Sequence, residues 1–252
     1  MTEEELKNKI DPSKLPKHIA TIMDGNGRWA KSQGHMRVFG HKSGVKSVRE
    51  ITEACAEIGV PYLTLYAFST ENWQRPKFEV NALMSLLVDT IGKEMTTLQD
   101  NNIKLNAIGD LDKLPQKTQK ALRKGIDDTK SNDRMTLTLA LNYSSRWELT
   151  TAMKKIAERV KSGDIQPDDI DEKLIHQHLD TSGIPDPELM IRTSGELRIS
   201  NYLLWQLAYS ELYFTDVLWP DFRKEHLYTA ILDFQNRERR FGKTGDQVSN
   251  KT

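Results

Sequence analysis

Five arginines, two glycines and two carboxylates stand out in this chain of 252 residues for the chemistry their types allow. Arg28, Arg37, Arg75, Arg192 and Arg198 supply planar guanidinium forks that match phosphate oxygens two at a time. Gly25 and Gly27, in "MDGNGRW", let backbone N–H groups turn toward an anion. Asp24 and Glu71 are hard oxygen ligands suited to Mg²⁺, an ion that commonly accompanies substrate phosphates. Trp29, Phe68, Trp73, Tyr143 and Trp205 add apolar surface in the same stretches. Phosphate, metal and apolar surface together point to a lipid-like phosphate or diphosphate.

Each feature also has an ordinary structural reading. A G-x-G after a strand can be a plain turn, and a single arginine can cap a helix. Cys55 lies on an apolar helix face and reads as core packing. His18 and His35 read as structural or solvent-facing, while His41, at a helix start near Arg37, suits either role. The acidic run "DDIDE", 168–172, is shaped like a metal motif but reads as the first turn of the next helix, where the helix dipole favours acids.

Position in the fold gives the clusters their weight. Short apolar runs at 18–23, 62–68, 103–108, 135–141 and 189–191 read as strands, separated by segments of helical period. The clearest helix carries Val45, Val48, Ile51, Cys55 and Ile58 on one face, with Gly59 as its cap and Pro61 forbidding continuation. Further helices are expected over 79–99, 115–131, 146–161, 171–179 and 224–240. Strand–helix alternation of this kind predicts an α/β fold, a single domain with a central, mostly parallel sheet flanked by helices. Four of the five strands run into polar clusters: Asp24 to Arg28; Ser69, Thr70, Glu71, Asn72, Trp73, Gln74 and Arg75; Asn142 to Arg146; and Arg192 to Ser200. Parallel strands put their C-terminal ends on one edge, so the four clusters are expected to line one cleft.

Bulk properties narrow the class. Lysine plus arginine and aspartate plus glutamate number 36 each, which gives no electrostatic case for nucleic acid. One cysteine excludes an internal disulfide framework and fits a reducing compartment. The N-terminus shows neither the basic nor the apolar region of a signal peptide, and no run approaches the ~20 apolar residues of a membrane span. A cytoplasmic protein is expected. The polar ends, 1–14 and 243–252, are expected to be mobile, leaving 15–242 as the working domain.

The stretches "HIATIMDGNGRWA", "GHKSGV", "YLTLYAFSTENWQRP", "LALNYSSR", "IRTSGELRISNYLLWQLAYSELYF" and "LWPDF" resemble, in order, the motifs of the cis-prenyltransferase family. The resemblance implies sequential condensation of isopentenyl diphosphate with an allylic diphosphate, typically farnesyl diphosphate, each new double bond being cis. It implies a long polyprenyl diphosphate of the undecaprenyl type, the precursor of a cell-wall lipid carrier. It also implies a Mg²⁺-dependent homodimer, a hydrophobic tunnel for the growing chain, and peripheral contact with the inner face of a membrane for product release.

By motif match, Asp24 is the essential acid beside metal and diphosphate. Gly25, Asn26, Gly27, Arg28, Arg37 and His41 hold the allylic diphosphate, and Trp29 and Trp73 border the reacting centre. Ser69, Thr70, Glu71, Asn72 and Arg75 shape it. Arg192, Arg198, Ile199 and Ser200 take isopentenyl diphosphate, and Glu211 completes the metal site with Asp24. The family account gives the residue matching Asn72 a part in proton removal; a neutral amide is a poor base, so orientation, or diphosphate as acceptor, fits Asn72 better. Two stretches depart from the family pattern. "NYSSR" has serines where two glycines are usual, tolerable unless the backbone there needs φ > 0, and "GELR" has Leu197 where a polar residue is common. Rival readings are a trans-type prenyltransferase, which needs paired aspartate-rich motifs; a non-catalytic prenyl-binding subunit, which should have lost Asp24 or the arginines; and a phosphatase, for which no nucleophile–base arrangement stands out.

Overall fold

The computed structural model describes residues 1–239. Its sheet has six parallel strands in the order β3-β4-β2-β1-β5-β6, from β1 (His18–Ile22), β2 (Tyr62–Ser69), β3 (Ile103–Ile108), β4 (Met135–Tyr143), β5 (Leu189–Arg192) and β6 (Glu211–Phe214). Every residue of β1 is buried, as expected of a central parallel strand covered on both faces. Alternation divides the core. Ile19, Leu63, Leu65, Leu105 and Leu137 join the larger cluster on one face. Ala20, Ile22, Ala140 and Met190 join Tyr202 and Leu207 on the other.

Eight α-helices accompany the sheet among the described residues: α1 (Glu3–Lys9), α2 (Asn26–Ser32), α3 (Arg37–Ile58), α4 (Lys77–Asp100), α5 (Gln116–Thr129), α6 (Ser145–Ser162), α7 (Glu172–Gln177) and α8 (Lys224–Gln235). The strands expected from sequence are all present. Edge strand β6 was not anticipated, because its four residues, three half-buried and Leu212 exposed, paired along one side, leave too weak a pattern. α3 begins eight residues before its apolar period does. In its first turns glycines replace apolar residues because the backbone of Asn26 comes so close that a Cβ on Gly40 would lie 1.9 Å from its carbonyl oxygen.

The N-terminal segment corrects the expectation of a mobile 1–14. Thr2 and Glu5 form a capping box for α1, which packs on α8 and buries Leu6 and Ile10 in the main core. Asp11 then exchanges two backbone bonds with the Gln235 side chain, at 3.1 and 2.8 Å. At the other end α8 stops at Gln235, short of the expected 240. The tail 243–252 lies outside the described residues.

The strand order sets the place of a binding site. The chain leaves β1 toward β2 on one side and leaves β5 toward β6 on the other, so a crevice opens between the C-terminal ends of β1 and β5.

Candidate active site

Asp24 and Arg192 meet in that crevice. Arg192, only 3% exposed, donates from Nη2 to Asp24 Oδ2 at 2.9 Å. Its Nη1 donates to Ser200 Oγ at 2.7 Å and also to the Arg198 carbonyl, which folds the 193–200 loop back around the guanidinium. Gly25 makes the turn out of β1 possible: its φ is +102°, and an added Cβ would stand 2.9 Å from Leu218. The Gly25 amide donates to Asp24 Oδ1 at 2.7 Å, and α2 starts at the next residue with its first amides free of intrahelical acceptors. Burial alone would raise the Asp24 pKa; the bonds from Arg192 and Gly25, with the charges of Arg192 and Arg28, outweigh it and hold the carboxyl below its usual range. Arg28 reaches across to Ser194 Oγ at 2.5 Å and Glu196 at 3.2 Å. Thr193 ties the two strand ends together, accepting from the Asp24 amide at 2.9 Å and donating to its carbonyl at 2.7 Å.

A second arm comes from β2. Ser69 and Asn72 form a reciprocal cap on the 3₁₀ turn Thr70–Gln74, which brings Asn72 and Arg75 to the mouth of a deep cavity. Glu79, 5% exposed at its side chain, accepts from Arg75 at 3.2 Å and lies 3.5 Å from Arg37. One buried carboxylate thus gathers two cations beside the crevice. Burial, followed by the charges of Arg75 and Arg37, lowers the His41 pKa to about 4, so the imidazole is neutral near pH 7. His41 Nε2 and Asn26 Oδ1 are buried polar atoms with no partner, both at this mouth. Polar atoms left open in this way fit a site that expects a polar ligand.

Behind the mouth runs the cavity, about 1280 Å³ of empty space counting its open end. Val45 and Val48 of α3, Leu83, Leu87 and Ile91 of α4, and Leu137 and Leu139 of β4 form its walls. The mouth is polar and cationic, the interior mostly apolar.

Several sequence expectations are modified. Trp73 donates to Asn142 Oδ1 at 2.7 Å and packs edge-on against Phe68, while Trp29 donates to Asp221 at 2.8 Å. Phe68 lines the cavity; neither tryptophan does. Glu71 accepts at 2.9 Å from Asn201, the residue after the Ser200 that holds Arg192. Ile199 packs against the smaller core cluster, so only its backbone neighbours Arg198 and Ser200 belong to the crevice. Arg198 is exposed and pairs with Glu196. Glu211 is not brought to Asp24 within one chain. It begins β6 in register with Leu189 and Ile19, five residues short of Asp24, or about 16 Å at ~3.3 Å per residue, and pairs with Arg237 at 3.0 Å. The serines replacing glycines are harmless: Ser144 has φ −153°, Ser145 starts α6, and the left-handed residue is Asn142 at φ 47°. Leu197 points to solvent.

Glu79 was missed, since an acid in a helix's first turn gives no sign that it will be buried between two arginines. Thr193 was noticed only as part of its cluster.

No group of three or more metal-ligating side chains exists among the described residues. Asp24 is a carboxylate held ionised at the C-terminal end of β1, in a cationic crevice. That suits Mg²⁺ held by a single carboxylate together with substrate phosphates, the usual arrangement for this ion.

The family profile described as "Putative undecaprenyl diphosphate synthase" matches residues 22–242. The chain belongs to this family. An isoprenyl transferase of Porphyromonas gingivalis is 54% identical over 235 residues, covering 93% of this chain and 92% of the relative. A ditrans,polycis-undecaprenyl-diphosphate synthase of Vibrio vulnificus, named as (2E,6E)-farnesyl-diphosphate specific, is 50% identical over 234 residues, with 93% of each chain covered. Among solved structures, lavandulyl diphosphate synthase from Lavandula x intermedia, in complex with dimethylallyl diphosphate, superposes with a TM-score of 0.89 at 38% identity, covering 92% of this chain and all of that one. A "probable undecaprenyl diphosphate synthase" from Campylobacter jejuni gives 0.75 at 36% identity over 90% of this chain and 99% of that one. The protein is thus a cis-prenyltransferase, and the rival all-helical fold is excluded by its parallel sheet. Among the described residues no helix is long and apolar enough to cross a membrane.

Proposed function

We propose that this cis-prenyltransferase extends farnesyl diphosphate with successive isopentenyl diphosphates to a long polyprenyl diphosphate of the undecaprenyl type. The observation that carries the reading is the junction of a cationic, carboxylate-bearing crevice with a deep apolar cavity. A diphosphate suits the first and a growing hydrocarbon the second.

The α2 amides, Arg28 and Arg37 bind the allylic diphosphate, with neutral His41 free to hydrogen-bond one of its oxygens. Arg192, Arg198 and Ser200 bind isopentenyl diphosphate, Arg192 being fixed in place by Asp24 and Ser200. Asp24 is the protein's ligand for Mg²⁺, which when bound stabilises negative charge developing on the departing diphosphate. The isopentenyl double bond forms its bond to C1 of the allylic chain as the C1–O bond breaks, and a proton then leaves C2. Asn72 orients the reacting chain at the mouth, and diphosphate oxygen accepts the proton. The apolar walls receive the extended product and exclude water from the cation. The working form is proposed to be a homodimer, without nucleic acid, in contact with a membrane surface only for product release.

Incubation with farnesyl diphosphate and radiolabelled isopentenyl diphosphate, with product length and double-bond geometry determined, tests this. Newly formed cis bonds in a long product support it; no condensation, or trans bonds, would sink it.

A further inference from the structure

Beyond the mouth, the cavity wall carries charge at one place only among its lining residues: Arg49 of α3 and Glu94 of α4. The guanidinium holds the carboxylate with two bonds, Nε to Oε2 at 2.8 Å and Nη2 to Oε1 at 2.5 Å. Such bidentate geometry is stronger and more directional than a single contact. The Glu94 side chain is mostly buried, and Arg49 is about half exposed, so the pair stands at the seam between cavity and water.

Its depth matters. Arg37 and Glu79 join α3 and α4 at the mouth, and Arg49 and Glu94 join them again twelve residues further along α3 and fifteen along α4. At about 1.5 Å per residue the second pair lies roughly 18–22 Å in. Between the two ion pairs most of the lining is apolar, Val45 and Val48 on α3 and Leu83, Leu87 and Ile91 on α4, with Thr90 and, near the mouth, His41 as the polar members. At and past the second pair Thr52 and Thr97 join Leu98 in the lining.

We propose that the Arg49–Glu94 pair sets product length by closing the α3–α4 seam of the cavity, a role that rests on the cavity being the product's binding site. A hydrocarbon offers no hydrogen bond. To pass the seam it must part a charge-assisted pair and leave the mostly buried Glu94 carboxylate facing apolar surface, which is unfavourable. Elongation therefore stops when the chain reaches the pair. Replacing both partners by apolar residues of similar size removes the barrier without leaving an unpaired charge.

The test uses the full-length protein with farnesyl diphosphate and labelled isopentenyl diphosphate. Product length is read by chromatography, the first condensation by single turnover, and folding by thermal melt. The double variant Arg49→Met with Glu94→Leu should make products longer than wild type by whole isoprene units, while the first condensation, whose short chain does not reach the pair, still proceeds. The reversed pair, Arg49→Glu with Glu94→Arg, should restore wild-type length, and each single reversal should not. Wild-type length in the apolar double variant, or a reversed pair no better than its single reversals, overturns the proposal. If the double variant fails to fold, Glu94→Gln decides: it keeps the shape, lacks the charge, and must still lengthen the product. An absence of condensation by the wild type would instead defeat the functional reading on which the proposal rests.

Discussion

At the scale of single residues, Asp24 has two tasks, anchoring Arg192 and presenting a carboxylate to metal and diphosphate. Asp24→Ala should lose several orders of magnitude in kcat, while farnesyl diphosphate still binds to Arg28, Arg37 and the α2 amides. Rapid-quench kinetics with an equilibrium binding assay checks both halves, and a wild-type rate would remove Asp24 from the mechanism. The two diphosphate sites are separable in the same way. A charged hydrogen bond contributes about 1.5–3 kcal/mol, so losing a fork should weaken its own substrate by about ten- to a hundredfold at ~1.4 kcal/mol per decade. Arg198→Ala should raise KM for isopentenyl diphosphate far more than for farnesyl diphosphate, and Arg37→Ala should do the reverse. Equal effects on both substrates would mean that the sites are exchanged or merged. His41 gives a pH signature. Burial, with Arg75 and Arg37 nearby, depresses its pKa from 6.5 to about 4, so between those values the unfolded chain binds the proton that the folded chain refuses. Its contribution is complete above pH 6.5 and is lost as pH falls toward about 4. Buried His18, also lowered to about 4, adds a parallel loss. His41→Asn should therefore flatten part of the decline in melting temperature across that window; an unchanged slope would show that His41 titrates normally.

At the scale of elements, the cavity depends on β4 and α4 facing each other across apolar side chains. Leu137 is buried and lines the wall, so Leu137→Ala should extend the cavity and lengthen the product. It should also reduce stability by up to the roughly 2–5 kcal/mol typical of a buried Leu→Ala change. A shift in melting temperature without a shift in product length would place the product elsewhere. Most of these elements were legible in the chain: β1 to β5 follow from their apolar runs, and the end of α3 from Gly59 and Pro61. The start of α3 was not, because Gly40 serves close approach to Asn26 and leaves no apolar period to read. Helix α1 escaped for the opposite reason: seven mostly charged residues contribute Leu6 alone to the core, too little to show amphipathicity.

At the scale of the molecule, Asp24 and Glu211 sit toward opposite ends of the strands, so one chain cannot use both on one ion. If Glu211 serves the metal site of a second copy, mixing Asp24→Ala with Glu211→Ala subunits should recover activity that neither variant has alone. Each mixed dimer then has one site with both carboxylates intact. No recovery after subunit exchange would leave Glu211 as the structural partner of Arg237. By itself the sequence determined the α/β class, the polar strand ends and the family motifs, because these depend on local period and residue type along a continuous stretch. Only the tertiary structure decided which cluster meets which. The strand order puts β5 beside β1, so Arg192 reaches Asp24 from 168 residues away, while Glu79 is buried between Arg37 and Arg75 and both tryptophans turn from the cavity. Those pairings depend on strand order and side-chain burial, which follow from the packing of distant segments and leave no mark in the spacing of residues along the chain.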